Sequence, residues 1–107
     1  MVEISKSDWK KYREKISGWQ EAYMERLIKE YIKFLEGDGA ASDKFWELEK
    51  RIKQDKNVSV FYIEVRKSTV IMDIVHLIWD EVITLDDLDE FSEELQETVQ
   101  FVVERIG

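Results

Sequence analysis

His76 is the chain's single imidazole, and Asp73, three residues before it, and Asp80, four after it, share its side of any helix through this stretch. With Thr69 they form a polar stripe on an otherwise apolar segment. An Asp-His-Asp set can ligate a divalent cation, but three ligands on one helix need at least one more from another element to close the shell. The plainer expectation is a solvent-facing edge, or His76 held by one aspartate. No nucleophile, base and orienting acid can be assembled around it. A second set of carboxylates, Glu93, Glu94 and Glu97, forms an acid-rich helix face of a kind that arises by chance. The absence of cysteine removes thiolate catalysis, disulfides and cysteine metal sites. No catalytic residue, metal ligand or cofactor is assigned from these partial sets, and the chain is expected not to be an enzyme.

The acidic side chains point to a different kind of chemistry. The net charge of −8 is localised: residues 1–79 hold 14 acids and 15 bases, whereas residues 80–107 hold ten acids and only Arg105 as a base. Such a field repels phosphate backbones, so direct DNA or RNA binding is disfavoured, and it attracts basic protein surfaces. The set that would carry such docking is Asp86, Asp87, Asp89, Glu90, Glu93, Glu94 and Glu97. The same array could mimic nucleic acid and inhibit a DNA- or RNA-binding protein. The competing reading is a solvated face that maintains solubility.

Four tryptophans are many for this length. Most serve core packing, but Trp46 falls beside the Phe45, Leu48, Ile52 stripe, and an exposed Trp46 or Trp9 would mark a contact surface for a second copy or another protein. Trp46 therefore joins the acidic residues as a partner-binding candidate.

These residues must be positioned by helices. The 107 residues match one ordinary domain, and 44% hydrophobic content supports one core. Proline is absent, so nothing forces chain breaks. The pattern predicts an all-α domain over residues 1–107, a single compact bundle of five or six helices. Ser7 is expected to cap a first helix to about 16, and Ser17-Gly18 to interrupt it. Trp19, Tyr23, Leu27, Ile28, Tyr31, Ile32 and Leu35 then mark a second, ended by Gly37-Asp38-Gly39. Ser42 opens a third with Phe45, Leu48 and Ile52 on its apolar face. Residues 58–65 read as helix or strand, and helix is favoured because a lone strand has no partner. A central helix is expected over 68–83, a short one from a Thr84–Asp87 capping box to about Phe91, and a last one capped by Ser92.

No stretch approaches the roughly 18 apolar residues of a membrane span, and the N-terminus lacks the apolar core of a secretory signal. A cytoplasmic location without membrane association is the expectation.

Two resemblances accompany this reading. Glu93-Glu94-Leu95-Gln96-Glu97 resembles the EExxE core of the all-helical MazG-like nucleotide pyrophosphohydrolases, which implies magnesium-dependent nucleotide hydrolysis; the family's downstream ExxD has no counterpart after Glu97. The segments Trp19-Gln20-Glu21-Ala22-Tyr23-Met24-Glu25, Phe45-Trp46-Glu47-Leu48-Glu49-Lys50-Arg51-Ile52 and Val82-Ile83-Thr84-Leu85-Asp86-Asp87-Leu88 resemble a family of small, uncharacterised bacterial helical proteins often labelled "multidrug transporter". That resemblance spans most of the chain and implies a bacterial, cytoplasmic, all-helical protein with no known active site. The transporter label conflicts with the lack of a bilayer-spanning segment.

Overall fold

The computed structural model describes residues 3–106. They form α1 (Lys6–Leu35), α2 (Ala41–Asp55), α3 (Val70–Trp79) and α4 (Glu93–Ile106), with short 3-10 turns at Ser59–Phe61, Lys67–Thr69 and Leu85–Leu88. The all-α class is as expected, but four helices replace the five or six. The difference starts at Gly18, where the chain runs through as one 30-residue helix. Asp8, Tyr12, Ile16, Tyr23 and Leu27 are buried along it, with Trp19 half-buried between Ile16 and Tyr23. These three- and four-residue steps keep one face in register across the glycine. A glycine in a helix interior costs about 1 kcal/mol against alanine, less than the roughly 1.5–3 kcal/mol contributed by burying one large side chain, so packing overrides punctuation.

Position 18 is solvent-exposed, and a Cβ there would meet nothing within 4 Å. Gly18→Ala is expected to stabilise the protein by about 0.5–1 kcal/mol, because alanine restricts the unfolded chain and costs the helix nothing. Urea denaturation checks this, and a loss of stability would mean that the helix is interrupted after all.

The caps also differ in detail. Ser5, not Ser7, opens α1, its Oγ accepting the Asp8 N–H at 3.0 Å. α2 begins one residue before Ser42, with the Lys44 N–H already bonded to the Ala40 carbonyl at 3.1 Å, so Ser42 lies inside the first turn. The Gly37-Asp38-Gly39 turn ends α1 as expected, Gly39 taking a φ of 139° that favours glycine.

Because α1 does not break, its C-terminal half extends away from the rest of the chain, and α2 folds back along it as an antiparallel hairpin. The hairpin is held by a hydrogen bond from the Tyr31 hydroxyl to Asp55, by Arg51 stacked 4.1 Å from the centre of the Phe34 ring, and by Lys44 Nζ donating to the Leu35 carbonyl at 2.9 Å. No residue of α2 is buried. The molecule is therefore elongated, 53 × 28 × 22 Å, with a radius of gyration of 16.7 Å against about 13 Å for a compact chain of this length. The expectation of a compact bundle fails here.

The core lies at the other end. Val70, Ile74, Val75 and Leu77 of α3 are fully buried against Tyr12, Val60, Leu88 and Val99, so α3 is the central helix its composition announces. It stops at Trp79 rather than Ile83. Glu81 takes φ 60°, its N–H bonds the Ile78 carbonyl at 3.0 Å, and the Val82 N–H reaches back to Leu77 at 2.9 Å, a Schellman closure built on glutamate instead of glycine. Arg26 of α1 donates to the Glu81 carbonyl at 2.7 Å and helps to fix this turn.

Residues 58–65 are neither a full helix nor a strand. One 3-10 turn carries Val60 into the core, and residues 63–66 follow without regular structure. Side chains meet part of the segment's backbone: Gln20 donates to the Val60 carbonyl at 3.0 Å, and the Ser59 N–H donates to Asp80 at 3.2 Å. From Thr84 the chain follows the expected order, although the segment to Phe91 is a 3-10 turn rather than a short α-helix. The Asp87 carboxylate accepts the Thr84 N–H at 2.8 Å, and Ser92 caps α4 by accepting the Leu95 N–H at 3.2 Å.

Candidate partner-binding surface

Asp86 and Asp87 sit on the 3-10 turn Leu85–Leu88, Asp89 and Glu90 on the connection, and Glu93, Glu94 and Glu97 on the first two turns of α4. The buried residues Leu88, Phe91, Leu95 and Val99 alternate with them and pull the other face of the same stretch into the core. All seven carboxylate residues are consequently exposed.

They are not equivalent. Asp87 is used by its own turn, accepting from Thr84. Glu90 is ion-paired with Lys15 and, at 3.9 Å, with Lys11 of α1. The hydrogen bond and charge of Lys15, with the charge of Lys11, hold the Glu90 carboxyl below the usual glutamate range. Glu93 and Glu94 occupy the first turn of α4, where negative charge complements the helix dipole. Among the described residues, Glu90 alone of the seven has an ion-pair partner. Asp86, Asp89, Glu93, Glu94 and Glu97 present their charge to solvent.

Trp46 is brought to a different place. It lies on α2 near the tip of the hairpin, 63% exposed, with its ring edge-on to Phe45 at 5.0 Å, beside Phe34 and Gly39. It cannot share one contact patch with the acids of α4. Trp9 is half-buried, stacked on Tyr12 at 6.4 Å.

The His76 stripe forms part of an open cleft of about 340 Å³, to which the irregular segment contributes Ser59, Tyr62 and Arg66. Within it Asp73 accepts from Thr69 at 2.8 Å and the exposed His76 packs its ring 5.5 Å from that of Trp79, while Asp80, which does not line the cleft, accepts from Ser59. Burial raises the Asp73 carboxyl above its ordinary value, partly offset by the Thr69 hydroxyl and His76. The two aspartates thus bond to hydroxyls on opposite sides of His76. Among the described residues no three His, Asp or Glu side chains converge as a metal-holding group, and this includes Glu93, Glu94 and Glu97.

The residues that sequence reasoning missed as surface are Ile28, Ile32, Leu35, Phe45 and Ile52. Their helical spacing reads as core, yet all are exposed on the hairpin. Nothing in a stripe's periodicity says whether another element will cover it.

Among the described residues no helix is long and apolar enough to cross a membrane. No family model matches the chain, and no curated protein or solved structure matches it either.

Proposed function

We propose that the protein is a non-catalytic interaction module that docks a basic protein surface through the acidic end formed by residues 86–97. The reading rests on one observation: five exposed carboxylates within twelve residues, Asp86, Asp89, Glu93, Glu94 and Glu97, have no ion-pair partner among the described residues. Glu90, by contrast, is paired with Lys15 and Lys11 of α1. Charges of this kind speed encounter and select partners more than they tighten a complex.

The test is affinity capture from a lysate of the native host, at low and moderate salt, beside the variant Asp86→Asn, Asp89→Asn, Glu93→Gln, Glu94→Gln. Asp87 and Glu90 are kept because they serve the fold. A basic partner is expected to be lost in the variant and to bind at least tenfold more slowly at the higher salt. A partner captured equally by the variant would overturn the reading. If the partner is a DNA- or RNA-binding protein and nucleic acid competes for it, the same face acts as a nucleic-acid mimic.

A further inference from the structure

The α1–α2 hairpin buries too little of its own apolar surface. Met24, Ile28, Ile32 and Leu35 follow one another at steps of four, four and three along α1, and Phe45 and Ile52 lie seven apart on α2, so each set forms one stripe. All six are exposed, Ile28 at 54%, Ile32 at 49% and Phe45 at 63%. Where the stripes meet near the base of the hairpin, Met24, Leu27, Ile28, Tyr31, Ile52 and Phe61 line an open apolar notch of about 270 Å³. At the tip, Phe45 is 63% exposed, its ring edge-on to that of Trp46.

We propose that this face is the self-association surface of the protein, pairing the hairpins of two copies, antiparallel, into a four-helix bundle in which Phe45 of each copy enters the notch of the other. Three observations select a second copy as the occupant.

The first is shape. Phe45 stands about 10 Å along α2 from Ile52, so an antiparallel two-fold arrangement places each tip ring opposite the other copy's notch, the reciprocal contact an isologous interface requires. Antiparallel hairpins packed this way form an ordinary four-helix bundle.

The second is area. With roughly 200 Å² for a fully exposed large apolar residue, the six present on the order of 550 Å² per protomer, so a pair buries roughly 1,100 Å² in total, above the ~1,000 Å² that a specific interface should clear.

The third is charge. Residues 20–56 hold nine acids and eight bases, so two hairpins meet without net repulsion despite the chain's overall −8. The neutral hairpin offers no attraction to a strongly charged partner or to an anionic membrane.

The proposal is independent of the acidic docking reading, and its primary test reads mass. Light scattering coupled to gel filtration, together with sedimentation equilibrium, should show the full chain at twice its 12.9 kDa. Ile28→Lys with Ile32→Lys should give a monomer. Phe45→Ala, which adds no charge and leaves the buried core untouched, should weaken the dimer at least tenfold. Met72→Lys, an exposed apolar position on α3, should leave it intact. Helical circular dichroism in each variant separates loss of pairing from loss of fold. A wild-type chain that remains monomeric at several hundred micromolar, a dimer that survives the lysine pair or Phe45→Ala, or a monomer that binds lipid vesicles through this face would overturn the proposal. The neutralised acidic variant should dimerise normally, so the two readings fail separately.

Discussion

Asp8→Ala is expected to destabilise the protein by about 2–4 kcal/mol. Asp8 is a charged residue in the core, 4% exposed, 84 positions away from the residue it holds. Its carboxylate accepts the Ser92 N–H at 2.9 Å and the Ser92 hydroxyl at 2.6 Å, and that hydroxyl in turn accepts the Leu95 N–H at 3.2 Å. The relay ties the first turn of α1 to the start of α4 and places a negative charge at a helix N-terminus. Hydrogen bonds to a charged group are worth roughly 1.5–3 kcal/mol each, and truncating Asp8 also leaves the part-buried Ser92 N–H without its acceptor. Asp8→Asn keeps one acceptor oxygen and should fall between alanine and wild type. Ser92→Ala should cost about 1–2 kcal/mol, and the double variant less than the sum, since both changes break the same relay. Equilibrium urea denaturation measures all four. Strict additivity would show that the two residues act apart.

Tyr12→Phe should move stability the other way, by about 1–2 kcal/mol. Tyr12 is fully buried, and its hydroxyl has no hydrogen-bond partner among the described residues. A hydroxyl taken out of water without a partner costs roughly 1–3 kcal/mol, while phenylalanine keeps the ring contacts with Trp9 and Trp19.

The same burial makes a pH prediction. Desolvation first, and the charge of Asp73 second, push the Tyr12 phenol well above its ordinary 10.0. Below about pH 9 both folded and unfolded chains hold this proton, and stability does not depend on it. As pH rises through 10 the unfolded chain releases the proton and the folded chain does not, so stability falls, by at most about 1.4 kcal/mol per pH unit for this group. Tyr23 and Tyr31 are shifted in the same direction, chiefly by burial, with Asp55 adding to Tyr31. Thermal melts between pH 8 and 11 should show a decline that is shallower in Tyr12→Phe. An identical decline in both proteins would mean that Tyr12 titrates normally.

Several elements were legible because their signals are local. The Thr84–Asp87 capping box, the Ser92 cap and the Gly37–Gly39 stop each depend on side chains or glycines within three residues of the backbone they satisfy. The burial of α3 follows from apolar residues around most of its circumference. The exposure of the acids in residues 86–97 follows from the three- and four-residue spacing of Leu88, Phe91, Leu95 and Val99, which turns the other face inward. Gly18 shows where local signals mislead: serine followed by glycine is a boundary only if the flanking faces are free to diverge, and here Ile16, Trp19 and Tyr23 are packed on one side. Residues 58–65 failed for a related reason. Their β-branched and aromatic content suits a strand and the lack of a partner strand favours helix, but the structure buries Val60 through a 3-10 turn pinned by Gln20 and Asp80, partners 40 and 21 positions away.

The sequence by itself determined the helical class, the extreme position of the charge, and the identity of the central helix, because composition and three- to four-residue spacing act within a turn or two of the chain. Tertiary structure decided the rest. A continuous α1 separates Trp46 from the acids and leaves the apolar stripes of the hairpin uncovered, and the packing of its first turn on Ser92 draws Asp8 under the start of α4. Each of these depends on which distant faces meet, and the free energy of that meeting is not written in any single helix.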